Sequence, residues 1–219
     1  EEVNYAKVEV SGIPDYEVVM SQKLIDAING RPKASEDLVK GQVSVNTGDT
    51  VQFGQDIGYK SNRSCGEDEG AGYWPPGPVC PENLERTGYF PEEPEVAKEE
   101  DECDTGLGAV GYAINGTSIY NWNDGQSYNG ERVWQTLAPM AEMYDVDICG
   151  GHAANGDYHH HFYSSCWADM AGEDHEGHSP IYGFAADGYP VYGPWHDTGV
   201  LAKSSWRVRD YSADSVTGW

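Results

Sequence analysis

The chain has 219 residues, with 13 Lys and Arg against 37 Asp and Glu, and a formal net charge of −24. That balance excludes a nucleic-acid binder, since a phosphate backbone is held by clustered cations, and it excludes electrostatic adhesion to an anionic membrane. No apolar run approaches the roughly 20 residues of a spanning helix, while 15 Tyr and 7 Trp supply material for a folded core.

At the start of the chain Val3, Tyr5, Val8 and Val10 alternate with polar residues, as in a half-buried strand. From Tyr16 to Asn29 the apolar positions Val18, Val19, Leu24, Ile25 and Ile28 fit a short helix stopped by Gly30 and Pro32, or a strand. Val43-Ser44-Val45 and Thr50-Val51-Gln52-Phe53 flank the turn Asn46-Thr47-Gly48-Asp49 and read as a hairpin. Residues 61–104 hold Trp74-Pro75-Pro76-Gly77-Pro78, three cysteines and the acidic run Glu99 to Glu102. This is the composition of a long surface excursion stapled by a disulfide. The acidic run reads as a solvated face, because its spacing matches no EF-hand loop. From Gly106 onward glycine turns separate short aromatic strands, and the partial helical spacing of Gln135 to Tyr144 is interrupted by Pro139. The predicted fold is mainly β, a sandwich or distorted barrel with long disulfide-stapled loops and little helix. The predicted organisation is an N-terminal β segment over 1–60, an insert over 61–104, a core over 105–195 and an aromatic tail over 196–219.

The five cysteines contain no C-x-x-C pair, which disfavours a zinc ribbon or a thioredoxin-like motif. Most lie beside Gly, Pro or acidic residues, and the expectation is an oxidising, extracellular compartment with two disulfides and one odd thiol. The sequons Asn62-Arg63-Ser64 and Asn115-Gly116-Thr117 predict covalent glycan at Asn62 and Asn115.

Chemistry concentrates where His152, His159, His160, His161 and His178 gather. If residues 158–163 form a strand, His159 and His161 share one face while Tyr158, His160 and Phe162 share the other. Their Cα atoms would then be about 6.6 Å apart, close enough for two imidazoles to meet one ion. His152 or His178 would add a third ligand, which predicts a site for copper or zinc. The competing reading is a set of core histidines that hydrogen-bond the backbone. No G-x-S-x-G is present, so no nucleophile elbow is expected.

Three stretches, Asp147-Ile148-Cys149-Gly150-Gly151-His152, Gly156 to Cys166, and Ile181 to Pro194, resemble in order the YHYH domain, an uncharacterised family of largely secreted proteins. Val110 to Gly116 resembles that family's upstream strand, so the likeness spans 105–195, and the first 100 residues carry none. His160 stands where the signature has its second Tyr, and the Pro usual before the Cys is absent at Ser164 and Ser165, while His159 and His161 are kept. The resemblance implies a domain identity without an established reaction. It places Cys149 and Cys166 at motif edges and so implies a disulfide between them; a second is expected between Cys65 and Cys80.

Two functions follow. One is a structural subunit of an extracellular fibre or surface layer, self-associating head to tail, with residues 1–12 packed on a neighbour near Trp195, Trp206, Tyr211 and Trp219. The alternative is a copper- or zinc-binding protein or metalloenzyme, with Asp157 and Asp187 as nearby acids. No complete catalytic set is evident, so an enzyme is the less favoured expectation.

Overall fold

The alternation at Tyr5–Val10 does form a strand, and that strand pairs antiparallel with Arg86–Pro91 of its own chain, Tyr5 opposite Pro91 and Val10 opposite Arg86. The computed structural model describes residues 4–60, 80–103, 105–127, 130, 135–143 and 146–204, with the backbone of 64–65 and 72–73. The first elements are β1 (Tyr5–Val10), β2 (Glu17–Val19), α1 (Gln22–Asn29), α2 (Ala34–Asp37), β3 (Thr50–Gln52), β4 (Ser64–Cys65), β5 (Gly72–Tyr73) and β6 (Arg86–Pro91). Then come β7 (Ala109–Ala113), β8 (Ser118–Tyr120), β9 (Asn123–Ser127), β10 (Gln135–Leu137), α3 (Ala138–Ala141), β11 (His152–Ala154) and β12 (Asp157–His160). The last are α4 (Ser165–Ala171), β13 (Ile181–Ala185), β14 (Pro190–Tyr192), β15 (Trp195–Asp197) and β16 (Val200–Leu201).

The centre is a six-stranded sheet in the order β11-β12-β8-β7-β13-β14. Its pairs are antiparallel except β12 with β8, which is parallel. The class is mainly β as expected, but the sheet is open and the barrel alternative is not what forms. Gly111 and Gly183 let β7 and β13 approach closely. A Cβ at either would overlap a main-chain carbonyl oxygen across the pair. One face of this sheet is covered by α4, whose Trp167 and Ala168 pack on Ala113 and Tyr182.

A larger apolar cluster joins the N-terminal segment to the histidine region. Val18, Met20, Ile25, Ile28, Leu38, Val51 and Ile57 pack with Ile148, Cys149, Tyr158 and Cys166. The Tyr16–Asn29 stretch divides into strand and helix. Ser21 is the N-cap of α1, its Oγ accepting from the Leu24 N–H at 3.1 Å. The hairpin expected over Val43 to Phe53 does not form. Instead β3 pairs with β2, which sets Val51 opposite Val18 and buries both. Pro139 opens α3 rather than breaking a helix, because the first turn needs no N–H from it.

Candidate metal centre

The turn between β11 and β12 is Asn155-Gly156, with φ of +53° and +83°. Both central residues lie in the left-handed region, as a two-residue type I′ hairpin requires. Its register puts His152 directly opposite His159, so both imidazoles rise from the same face. His161 follows two residues later on that face. The three Nε2 atoms converge: His152 to His159 is 3.1 Å and His159 to His161 is 3.1 Å. No other group of three ligand-type side chains meets this closely among the described residues.

Hydrogen bonds at the far side of two rings decide what faces the centre. His159 Nδ1 lies 2.8 Å from the Asp157 carbonyl oxygen, and His161 Nδ1 lies 2.5 Å from that of Asn121. A carbonyl only accepts, so each Nδ1 carries a proton and, in the neutral ring, each Nε2 presents a lone pair. Glu142, which caps the C-terminus of α3, adds Oε2 at 3.3 Å from His152 Nε2 and 3.1 Å from His161 Nε2. Acceptors are thus aimed at one another around a shared point. A single bridging proton would relieve one or two of these contacts, whereas a cation at the centre relieves all of them. Adjacent donors around a tetrahedral zinc lie about 3.3 Å apart when bonds are about 2.0 Å, close to the spacing present here.

Charge follows the same geometry. Burial, then the neighbouring His152, lowers His159 to about 3, so that ring is neutral at physiological pH. Burial works to raise Glu142, but a proton or positive charge at the facing His152 and His161 nitrogens favours the ionised carboxylate; this outweighs burial and holds the group well below its usual range. Burial and a hydrogen bond to Glu142 raise the carboxyl of Asp124 alongside it.

Three supports hold the imidazoles. Tyr120 stacks on His159 with centroids 3.7 Å apart, and its hydroxyl donates to Asp157 at 2.6 Å. Asp157 also accepts from Ser118 at 3.0 Å and pairs with Arg86 at 2.9 Å. Beneath β11, the buried Asp147 carboxylate accepts from the hydroxyls of Tyr16 and Tyr158 and from the N–H groups of Cys149 and Gly151. Finally, Cys149 and Cys166 are joined by a disulfide that closes the segment carrying all three histidines.

Among the expected ligands, His152, His159 and His161 come together, but His178 does not. It is exposed, its Nδ1 donating to the Ser179 carbonyl and its ring lying against Tyr192 and His196. Asp157 is committed to Arg86, Tyr120 and Ser118, and Asp187 sits at the β13–β14 turn beside Gly188. Cys80 is disulfide-bonded, Cys103 is free, and the side chain of Cys65 lies outside the described residues. Asn62, Trp206, Tyr211 and Trp219 lie outside them too. Asn115 Oδ1 accepts from Thr117, and its Nδ2, where glycan would attach, is shielded from solvent in this conformation. Glu142, Tyr120 and Asp147 were not singled out in the sequence. The Asn155-Gly156 hairpin signal was legible there and would have paired His152 with His159.

His160 points to the opposite face, against Tyr158 and Trp167. Burial, then the neighbouring histidines, lowers it to about 3. In the unfolded chain both His159 and His160 take up a proton near pH 6.5, whereas in the fold they do not. Stability is therefore full above about pH 6.5 and is lost as the pH falls toward 3. The slope is at most about 1.4 kcal/mol per pH unit per ring. Urea unfolding in EDTA at neutral and mildly acid pH measures this, and His160→Phe should remove about half of the slope. An unchanged midpoint across that range would contradict it.

A model of the family described as YHYH protein matches residues 87–215, more than half of the chain. The chain belongs to the YHYH protein family. The match runs from β6 through the six-stranded sheet and includes every residue of the histidine centre, Glu142 among them. No curated protein and no solved structure matches the chain. The family identity of this YHYH protein thus names a domain, and its chemistry has to be read from the residues.

Proposed function

We propose that this YHYH protein is an extracellular metal-binding protein whose centre is formed by His152, His159, His161 and Glu142, with zinc or copper as the ion. The observation that carries this reading is the pair of Nδ1–H groups donated to main-chain carbonyls. This is the outer-sphere arrangement that orients metal-bound histidines. The donor set of three imidazoles and one carboxylate suits a borderline cation rather than calcium or magnesium. A disulfide supports the oxidising compartment.

Elemental analysis after chelator-free purification is expected to give about one equivalent of zinc or copper. His159→Ala and His161→Ala should each weaken binding by more than about 100-fold, beyond the usual cost of losing an outer-sphere partner. Saturating metal at about 1,000 times Kd should add about 4 kcal/mol of stability. If neither ion is retained or bound on titration, these are hydrogen-bonded core histidines. The fibre-subunit reading keeps one support: β1 and β6 make a two-stranded sheet with exposed β1 side chains, a surface open to strand addition. Full-length protein that sediments as a monomer would remove it.

A further inference from the structure

A cleft of about 460 Å³ lies on the other side of the segments that carry the metal ligands. It falls inside the ~300–1,000 Å³ span of pockets that hold small organic ligands. Leu24, Met143, Phe162 and Tyr163 give it apolar and aromatic walls. Among the described residues, the charged side chains lining it, Lys23 and Arg31, are both cationic, in a chain where acids outnumber bases 37 to 13.

The two cations differ in role. Arg31 is half-buried, and its guanidinium donates to the main-chain carbonyls of Val146 and Asp147 (2.8 Å to the latter). Those partners fix its position, and the Asp147 and Asp37 carboxylates that act on its charge are not among the residues lining the cleft. Lys23 is exposed at the first turn of α1, a turn without an acidic residue, so the partial positive charge of the helix start adds to the same field.

We propose that this cleft binds a small organic anion, a carboxylate with an aromatic or branched aliphatic body, the acid group toward Lys23 and Arg31 and the body against Leu24, Met143 and Phe162. Met143, Gly150 and Phe162 each stand within two residues of Glu142, His152 or His161. An occupant therefore leans on every segment that supplies the histidine centre. The proposal does not depend on that centre holding a metal.

The test uses the metal-free full chain with anilinonaphthalene sulfonate, an aromatic anion, as the fluorescent probe, and the uncharged phenylnaphthylamine as its control. One saturable site is expected for the anion, with the neutral probe at least about ten-fold weaker. Lys23→Glu, a reversal at an exposed position that leaves the fold intact, should weaken the anion about ten-fold and leave the neutral probe unchanged. Met143→Trp, which fills the cleft, should abolish both, with unfolding midpoint and near-ultraviolet circular dichroism as the check on folding. Absence of saturable binding overturns the proposal, and so does anion binding indifferent to Lys23→Glu. Displacement by benzoate or by a branched aliphatic carboxylate identifies the preferred body.

Discussion

Replacing Asp147 by alanine is expected to destabilise the protein by on the order of 5 kcal/mol and to disorder the approach to His152. The carboxylate is the common acceptor for the Tyr16 and Tyr158 hydroxyls and for the Cys149 and Gly151 N–H groups, all of them buried. Removing it strands four donors, each costing about 1–3 kcal/mol when left unpaired, less whatever water can recover. Burial raises the pKa of Asp147, and the hydrogen bonds from Tyr16 and Tyr158 oppose that shift, so the same contacts that hold the loop keep the acid functional as an acceptor. Asp147→Asn should cost roughly half as much, because the amide oxygen still accepts while its NH2 meets hydroxyls that must reverse. Urea midpoints of the two variants measure the difference. Equal and small losses, below about 1 kcal/mol, would show that the loop is held by other means.

Removing the Cys149–Cys166 bridge is the second large effect. The two cysteines are 17 residues apart, and closing a loop of that size stabilises by about 3 kcal/mol in the chain-entropy model. For a chain of this length the double Cys→Ala variant should unfold about 6–12 °C lower. The bridge links the turn before His152 to α4 after His161, so its loss also frees two ligand-bearing segments. Metal affinity should fall with it. By linkage, bound zinc should then make the disulfide harder to reduce by the same factor. Measuring zinc affinity with and without the bridge, and the glutathione midpoint with and without zinc, gives two ratios. Ratios of one in both measurements would mean that reduction and metal loss are separate events.

Much of this was legible in order along the chain. Strand alternation at Tyr5–Val10, the glycine-punctuated strands after Gly106, and the placing of His159 and His161 on one face are local consequences of a period of two. The open outcome at Tyr16–Asn29 was also local, since Ser21 carries the cap that ends the strand and starts α1. Other expectations failed for non-local reasons. Val51 found Val18 rather than Val43 or Val45, because burying a cross-strand pair in the main cluster outweighs a nearby turn. His178, near the cluster in sequence, ended up across the sheet beside Tyr192.

By itself the sequence determined a mainly β, acidic, disulfide-bearing chain with a YHYH core and two histidines destined for one face. Periodicity and turn chemistry act within a few residues. The tertiary structure alone decided the rest of the centre. Glu142 reaches His152 and His161 from the end of a one-turn helix, and Tyr120 reaches His159 from a parallel neighbour strand. Asp147 gathers Tyr16 from the far end of the chain. No spacing encodes such meetings, because they exist only once burial in the shared core has brought distant segments together and removed the water that would otherwise satisfy their polar groups.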